Sequence, residues 1–546
     1  MERTEYVINK SSFEFVNLDS NIHDHKLDTK PVGYFRDALR RFTKNKGSVF
    51  AAGIILILVL FAIIAPMASD YTVAFRDPYF RTTLPICTAA KNNPNMDFWD
   101  GCSEVELAQT TFELYYGINV ESGQEAVKRG EYTVRQVTRE LKNNKTRVDN
   151  LYTFRLNSYY KVGAYYKNLT LEEYRSIQEY QDRTGKQVLY PVVAKKERVT
   201  ALLDQLDPST ASSKTYINDD GNFWYKVKIS SKAPYTPTAV FDENGNYINN
   251  YAVDPTSDKD LYTSKMLVEG DTKQYLYGIK NQNGFEVRIN YYEYFCYVHY
   301  MAGDGIESPH FIFGTNGDGQ DIFTCLAAGA RFSFLLAILV SIINLTLGAI
   351  YGAIEGYYGG LADICMERIS DILGAIPMMI VLTLVRLQLS NKTDIPSQDI
   401  ALVSMIISFL ATGWIGMASR VRMQFYRFKN QEYVLAARTL GARDRRIILK
   451  HILPNSLGTL ITGSVLVIPG VMFSESSLAY LGILDLSTST STSIGVLLAN
   501  GQPYLTTYPH VILFPALFIS LLMLSFNLFG NGLRDAFNPQ LRGSEG

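Results

Sequence analysis

The chain has 546 residues, a formal net charge of -1 and 47% hydrophobic residues, averages that resemble those of a soluble protein with several domains. The near-neutral balance argues against a nucleic-acid-binding protein, which would carry a basic face or stripe. These averages hide the main feature of the sequence, because apolar and polar residues are separated into long blocks.

Residues 1–47 form a polar N-terminal arm. Its first 30 residues show no clear periodicity, which predicts loose order. Apolar side chains at helical spacing follow, among basic residues: Tyr34, Phe35, Leu39 and Phe42. A basic amphipathic helix directly before a span is typical of the inner membrane surface, and positive charge that only orients the chain explains the pattern equally well.

The apolar run from Ser48 to Ala68 is uncharged and long enough to cross a bilayer, which takes about 20 helical residues. It begins too far from Met1 for an ordinary signal peptide, and no small-residue cleavage site follows it. We therefore predict an uncleaved membrane anchor over residues 48–69.

The block from residue 70 to residue 310 carries charges of both signs and most of the tyrosines of the chain. Turn signals such as Asp219-Asp220-Gly221, a strand-like piece at 223–229 and a helix-like segment at 171–180 predict a folded α+β domain. Its tyrosines could form a recognition surface, since tyrosine offers a large contact area at low entropy cost, but an ordinary core explains them as well.

Two of the 5 cysteines, Cys325 and Cys365, lie in or beside apolar segments and are expected to be small buried hydrophobes. The other three, Cys87, Cys102 and Cys296, lie in the polar block. A disulfide between Cys87 and Cys102 is chemically reasonable outside the cell, and two free thiols fit the spacing equally well. No CxxC pair or Cys/His spacing indicates a metal site.

Further apolar segments follow the polar block, at residues 332–354, 369–385, 400–418, 457–481 and 510–529. Together with the first run they predict six membrane spans, the third broken at 374–377 and the fifth at Pro469. Lys and Arg crowd around residues 429–455, whereas the loop 482–509 holds none. The positive-inside rule therefore predicts that both termini and residues 429–455 are cytoplasmic and that the block 70–310 is outside.

Residues 429–455, which we name the docking element, have the pattern of a short helix, a glycine break and a second short helix. Glu432 lies in the first turn, where a carboxylate complements the helix dipole, and Gly441 stands where a left-handed cap ends the helix. Ala436 and Ala437 keep one face small, so that the backbone of another protein can approach closely. The pattern predicts a contact site for a partner at the inner face.

The docking element resembles the coupling loop of ABC importer permease subunits, which has Glu-Ala-Ala, a glycine and then Ile-x-Leu-Pro. The residues that fit the oligopeptide/dipeptide/nickel branch are Glu432, Ala436, Ala437, Gly441, Leu453 and Pro454. Further motifs similar to that branch follow the same order, at residues 313–321, 356–360, 475–482 and 530–539. The chain departs from the branch at Asn316 and Gln320, where Asp and Arg are usual, and in the length of the block 70–310.

The resemblance implies an α-helical membrane protein with six transmembrane helices in the type I ABC importer permease fold. An α+β extracytoplasmic domain would be inserted between helices 1 and 2, the permease core would cover residues 311–532, and residues 533–546 would be a cytoplasmic tail. It further implies a bacterial cytoplasmic-membrane subunit, in contact with lipid, that serves peptide import in a branch that also carries glutathione and nickel.

The partners that the resemblance implies are a second permease subunit, two ATPase subunits and an extracytoplasmic substrate-binding protein, with no nucleic acid. The chain has no G-x-x-x-x-G-K-[ST] phosphate loop, so ATP and magnesium are expected to bind to the ATPase subunits. We expect no cofactor and no catalytic residue in this chain. The docking element would couple it to one ATPase.

Glu475 is an ionisable residue inside an apolar span, and such groups usually face a cavity or a partner rather than lipid. It could contact the translocation path, or it could hydrogen-bond between helices, which is the simpler interpretation.

Two other functional classes are weighed against the resemblance. A secondary transporter would need more charge within the membrane and usually an internal repeat. A membrane-anchored surface receptor or enzyme would use the block 70–310 as its working part, but no G-x-S-x-G or H-E-x-x-H motif appears. Neither class explains the ordered motifs.

Overall fold

A computed structural model of the chain describes residues 34–87, 99–108, 122–140, 146–190, 284–391, 397–487 and 492–537, with short pieces between 111 and 119 and between 213 and 281. The predicted arm at 1–30, the turn signal at 219–221 and the last residues of the predicted tail lie outside these ranges.

Helices α1 (Tyr34–Lys44) and α2 (Lys46–Ala68) are separated by Asn45, whose side chain accepts a hydrogen bond from Ser48 N and so caps α2. The structure thus has a helix where the sequence indicated an amphipathic one. Phe42 is buried, while Leu39 on the predicted apolar face is 64% exposed. Only part of that face is therefore covered by the rest of the chain.

The described residues of the block between the first two spans form four antiparallel sheets, two of which have only two strands. The strands are β1 (Cys102–Ala108), β2 (Val127–Glu140), β3 (Thr146–Asn157), β4 (Ala164–Leu169), β5 (Leu189–Tyr190), β6 (Ser213–Ile217), β7 (Trp224–Lys228), β8 (Thr263–Ser264), β9 (Tyr275–Leu276), β10 (Gly278–Asn281) and β11 (Gly284–Asn290). In the first sheet the order is β1-β3-β2, and Cys102 pairs directly with Asn157. In the second the order is β10-β11-β4, with β5 also paired to β11. The remaining strands pair as β6-β7 and β8-β9.

The helices of this block are α3 (Leu171–Thr184) and α4 (Tyr291–Ala302). A capping box between Thr170 and Glu173 begins α3, at the place where the sequence indicated a helix. Strand β7 likewise lies within the segment 223–229 that the sequence marked as strand-like.

Aromatic rings form the core of this block next to the membrane bundle. The buried members of the cluster are Tyr71, Phe80, Tyr159, Tyr291, Phe295, Ile306 and Phe311. They come from the segment after α2, from the block itself and from the segment that leads into the second span, so one core joins all three. These buried tyrosines therefore belong to an ordinary core rather than to a recognition surface.

The segments that leave the first span and enter the second are hydrogen-bonded to each other. Thr82 N donates to Asn316 O at 3.0 Å, and Asn316 Nδ2 donates to Gln320 Oε1 at 3.0 Å. Gln320 Nε2 also donates to Val73 O at 2.8 Å. Because Asn316 and Gln320 are buried, the neutral amides that replace the usual charged pair find partners without the cost of burying charge.

The disulfide considered between Cys87 and Cys102 is not formed, and both are free thiols in the structure. The isolated antiparallel bridge pairs Ile86 with Asp100, which leaves Cys102 two residues beyond the point of pairing. Burial, and next the charge of Asp100, raise the pKa of the Cys102 thiol to about 12, so it stays protonated and weakly reactive.

Helical segments make up the described remainder of the chain. They are α5 (Ile322–Tyr358), α6 (Gly360–Gly374), α7 (Met378–Ser390), α8 (Ser397–Thr412), α9 (Ile415–Phe428), α10 (Glu432–Thr439), α11 (Asp444–Arg446), a π-helical turn (Ile447–Ile452), α12 (Leu453–Val465), α13 (Val467–Tyr480), α14 (Ile494–Gly501), a 3₁₀ turn (Gln502–Tyr504) and α15 (His510–Phe537).

Five of the helical runs described are long and apolar enough to cross a membrane: Lys46–Ala68, Ile322–Tyr358, Asp399–Phe428, Asp444–Tyr480 and His510–Phe537. The pair α6 and α7 makes a sixth if it counts as one span, with its two halves bent by 73°. The bend falls at the predicted break 374–377. The second span is longer than the predicted 332–354, because Asp321 and Gly359, rather than the limits of the apolar run, cap its ends.

Helices α5 and α9 approach closely along three glycines of α5 at four-residue spacing: Gly348, Gly352 and Gly356. A Cβ atom on Gly348 would lie 2.6 Å from Met417 Cβ, and one on Gly356 would lie 2.7 Å from Phe425 Cβ. A Cβ atom on Gly352 would collide with the backbone of Ala418. The contact therefore requires glycine, as in other close helix pairs in membranes.

We expect Gly352→Ala to destabilise the purified protein by about 1–3 kcal/mol, because the added methyl group overpacks the α5–α9 contact. The matched control is Gly416→Ala in α9, where a Cβ atom would meet nothing within 4 Å. The control should be neutral or stabilising by up to about 1 kcal/mol. Thermal unfolding in detergent measures both, and equal midpoints for the two variants would contradict the close contact.

Candidate functional site

The docking element begins with α10, whose first turn carries the exposed Glu432. After α10 the backbone turns at Gly441, which has a φ of +79° and open space around its Cα. Only glycine adopts this left-handed conformation without strain. The helix and glycine break therefore lie where the sequence pattern indicated them.

The second half of the docking element differs from the predicted separate short helix. Helix α11 continues through the π-helical turn into α12, so the run from Asp444 to Tyr480 enters the fifth span without a break at Pro454. Pro454 is the second residue of α12, so its missing N–H falls where the π-helical turn gives way to regular α-helix. Half-buried Leu453 packs against the core beneath the docking element.

The small face predicted for α10 is accessible. Ala436 is exposed and Ala437 is half-buried, while Val434 is completely buried against a core that includes Phe425 and Ile447. Sequence reasoning missed Leu440, which is 87% exposed at the end of α10. Tyr433 and Leu435 of the same short helix are also exposed, and several exposed apolar side chains close together are typical of a surface that a partner covers.

Hydrogen bonds tie the docking element to the end of α5. Tyr357 OH donates to Asp444 Oδ1 at 2.6 Å, and Lys429 Nζ donates to Gly356 O at 3.0 Å. The Arg438 guanidinium also lies over the Tyr357 ring, 5.8 Å from its centre. Lys429 precedes α10 in the chain and Asp444 follows it, so both ends of α10 are connected to the end of the second span.

An ion-pair network around Arg422 joins α9 to α5 and α6. The Arg422 guanidinium binds Asp363 through two nitrogens, at 2.6 and 2.8 Å, and Glu367 at 2.7 Å. The buried Glu355 carboxylate lies 3.5 Å from Arg422 Nε. Tyr426 OH donates a further hydrogen bond to Asp363 at 2.6 Å. The sequence did not predict this network, because the partners of Arg422 lie more than 50 residues away in the chain.

The Glu475 carboxylate is fully buried and hydrogen-bonded between helices. Ser333 Oγ of α5 donates to it at 3.0 Å, and Ser493 Oγ, next to α14, donates at 2.5 Å. Ser493 Oγ also accepts a hydrogen bond from Val496 N and so caps α14. The structure thus places Glu475 at a junction of α5, α13 and α14, away from the docking element, and its contact with a translocation path stays a prediction.

The part of the chain that the structure describes holds no group of three or more His, Cys, Asp or Glu side chains able to bind a metal ion. Its notable polar groups are instead the ion pairs around Arg422 and the hydrogen bonds of Glu475. Both are arrangements that hold helices together.

Comparison with known proteins gives two family matches. Residues 344–543 match binding-protein-dependent transport system inner membrane components, and residues 33–85 match the N-terminal transmembrane domain of oligopeptide transport permease C. The first match contains the docking element and the second contains the first span. Residues 86–343 lie outside both.

Individual relatives agree with these matches. The chain is 41% identical over 230 residues to the oligopeptide transport system permease protein OppC of Bacillus subtilis, covering 42% of this chain and 72% of that protein. It is 39% identical over 231 residues to the dipeptide transport system permease protein DppC of the same organism, covering 42% and 69%. Its identity to OppC of Haemophilus influenzae is 39% over 241 residues, covering 44% and 74%.

Among solved structures, the chain is similar to an inward-facing form of the MetNI methionine ABC transporter, at 16% identity and a TM-score of 0.32. The likeness covers 39% of this chain and 96% of that one. A TM-score this low does not establish a shared fold.

We expect Arg422→Gln to lower the stability of the protein by about 1–3 kcal/mol, because three neighbouring carboxylates lose their shared cation. The loss stays below that of a fully buried pair, since the Arg422 side chain is 21% exposed. Arg368→Gln is the matched control, as Arg368 pairs with a single carboxylate among the described residues, that of Asp371, and is 73% exposed. Its expected loss is below about 0.5 kcal/mol. Thermal unfolding of both variants tests the network, and equal losses would refute it.

Proposed function

The chain belongs to the family of binding-protein-dependent transport system inner membrane components, together with oligopeptide and dipeptide permeases, and on that premise we propose that it forms one half of the peptide path in an ATP-driven importer. It is a multi-pass integral membrane permease, and its relatives are transport subunits rather than enzymes. The cargoes named for those relatives, oligopeptides and dipeptides, support a peptide cargo here.

The main support for coupling between this chain and an ATPase is that one side of α10 is buried while the other is exposed. Its inner side is fixed by the buried Val434, and its outer side presents Ala436 and the exposed Leu440. A helix that is firmly held and yet has an uncovered apolar surface is suited to receive force from a partner. The partner in our proposal is an ATPase subunit.

Closure of a pair of ATPase subunits on ATP would displace the docking element, and its contacts would transmit the movement. Tyr357 passes it to the end of α5 through Asp444, and Lys429 passes it to the same helix through Gly356 O. The Arg422 network makes α5, α6 and α9 move together. The tilting of these helices would switch the path between inward-facing and outward-facing forms.

The proposed assembly contains a second permease subunit, two ATPase subunits and an extracytoplasmic binding protein. The requirement for a binding protein is supported by the description of the matched family. Basic residues around the docking element and their absence from the loop 482–509 support a cytoplasmic docking element with cytoplasmic termini. The block 70–310 then lies outside the membrane, on the side from which the binding protein delivers peptide.

The outer block is proposed to help dock the binding protein or to gate the outer mouth of the path. Trp99 stacks on Phe514 of α15 with ring centres 6.2 Å apart, and its Nε1 donates to Ile312 O at 2.7 Å. A side chain of the block thus contacts an end of the last span. Movement or occupation of the block can therefore reach the spans directly.

The two rival classes explain less. A surface receptor or enzyme that uses only the outer block has no need of the docking element, which lies within the family match. A secondary transporter would not share a family with binding-protein-dependent permeases. Membership in that family therefore favours import driven by partner ATPases.

We expect Gly441→Val to spare membrane insertion but to reduce peptide uptake per ATP hydrolysed severalfold, because valine is strained at a φ of +79° and α10 is misplaced against its partner. The measurement is the ratio of uptake to hydrolysis in proteoliposomes that contain the reconstituted complex. A normal ratio would contradict the coupling role.

The matched control for this experiment is Gly185→Val. Gly185 ends α3 with a φ of +69° in open space, so valine causes the same kind of strain far from the docking element. The uptake ratio of this variant should equal that of the unmodified complex. A comparable drop in both variants would mean that backbone strain alone, rather than the position of α10, disturbs transport.

The role of the outer block can be tested by replacing residues 103–156 with a short Gly-Ser linker. Cys102 and Asn157 pair directly across the sheet, so the linker closes the gap while the contacts beside the membrane remain. We expect weaker binding of the binding protein or weaker stimulation of ATP hydrolysis by it, by about fivefold or more, equivalent to roughly 1 kcal/mol. If both quantities are unchanged, this sheet has neither proposed role.

A further inference from the structure

Helix α9 has two polar faces, and carboxylates bind the basic residues of only one of them in the described part of the chain. Arg422, Tyr426 and Lys429 follow helical spacing, and Arg422 and Tyr426 bind the carboxylate of Asp363. Three other side chains at the same spacing share a second face: Arg420, Gln424 and Arg427. In the described ranges no carboxylate lies within ion-pair distance of either arginine on this second face.

The second face of α9 lines a cavity of about 420 Å³. Helix α12 forms one wall with Gly458, Thr459 and Gly463, and α15 contributes Arg534 near its C-terminal end. Three guanidinium groups from two helices more than 100 residues apart therefore line one space. No acidic side chain is among the described residues that line it.

The walls of this cavity are built to admit a guanidinium group. Arg420 Nη1 donates to Gly463 O at 3.4 Å, and a Cβ atom on residue 463 would lie 3.0 Å from the same nitrogen. On the neighbouring helix Gly530 packs against Leu466, where a Cβ atom would collide with the leucine side chain. Small residues thus bring α12 next to both arginine-bearing helices, and apolar Leu466 and Phe537 complete the lining.

Three positive charges around one cavity repel each other unless an anion joins them. Two acids beside α9, Asp363 and Glu367, bind Arg422 on its opposite face and so do not neutralise this cavity. The planar guanidinium group of arginine can donate two parallel hydrogen bonds to the oxygens of a phosphate. The cavity therefore favours an oxyanion over a neutral ligand.

We propose that the cavity between α9, α12 and α15 is a binding site for a phosphate group, which Arg420, Arg427 and Arg534 hold jointly. Its position at the ends of membrane helices, beside Leu466 and Phe537, suits the headgroup of an anionic phospholipid. A free phosphate ion presents the same oxygens to the same arginines. None of the residues of α10 lines this cavity.

The test is native mass spectrometry of the full chain, purified with the subunits that accompany it and stripped of lipid. Phosphatidylglycerol, phosphatidylcholine and inorganic phosphate are titrated separately. The pocket variant is Arg420→Gln with Arg427→Gln and Arg534→Gln. The charge-matched control is Arg175→Gln with Arg183→Gln and Lys186→Gln, which removes three exposed charges from α3 and the residues just after it in the outer block.

We expect phosphatidylglycerol to bind more tightly than phosphatidylcholine and the pocket variant to lose at least about tenfold in that affinity, since each arginine near a lipid phosphate contributes on the order of 1 kcal/mol. The control variant should bind as the unmodified protein does. Binding of inorganic phosphate alone, with the same dependence on the three arginines, would support the site and assign it to the free ion.

Equal binding of both lipids with no binding of phosphate would overturn the proposal, and so would equal losses in the pocket and control variants. If the triple variant does not fold, Arg534→Gln replaces it, because Arg534 is exposed and makes no ion pair in the described part of the chain. A loss of about threefold or more is expected for that single change. No loss would overturn the proposal as well.

Discussion

The close contact between α5 and α9 is the constraint on which the functional end of this protein depends. Glycines at 348, 352 and 356 let the two backbones approach, and the next residues of α5 then lie within reach of the docking element. Tyr357 can bond to Asp444 only because that approach has already been made. The ion pairs around Arg422 fix the third neighbour, α6, to the same pair. Packing of small residues thus comes first, and polar contacts are built on it.

Charge at this end of the bundle is sorted by helix face rather than spread evenly. On one face of α9 a single arginine holds Asp363 and Glu367 and lies beside Glu355, which makes the contact with α5 and α6 rigid. On the other face the arginines border open space. The same helix therefore holds the bundle together on one side and offers an anion-binding surface on the other. Net charge alone, at -1 for the whole chain, gives no sign of this division.

Much of the membrane part could be predicted from sequence, because its signals are local. Apolar runs predicted the spans, and the broken pattern at 374–377 predicted the bend between α6 and α7. Gly441 predicted the turn after α10. The true ends of α5 were missed, since the caps Asp321 and Gly359 lie beyond the apolar run. The continuous passage from α11 into the span was missed because a π-helical turn has no clear sequence signature.

The parts of the site that sequence could not predict depend on contacts between distant residues. Arg422 is separated from Asp363 by 59 residues, and Glu475 from Ser333 by 142. Nothing in local spacing selects these pairs among the many charged and polar residues. Whether Cys87 and Cys102 could form a disulfide also depends on such a contact. The antiparallel pairing of Ile86 with Asp100 decides the separation of the two thiols, which are free.

The contact between the two ends of the described chain has a consequence for assembly. Ser48 Oγ donates to Leu528 O at 3.2 Å, across 480 residues, and Phe42 packs on Phe529 with ring centres 5.3 Å apart. During synthesis the first span therefore enters the membrane long before its partner helix exists. Until the last span is made, the protein contacts available to the first span are those with α5, such as the packing of Phe61 on Phe323. No polar residue interrupts the first span between Ser48 and Ser69. Such an apolar helix is stable in the lipid bilayer before the last span is available to pack against it.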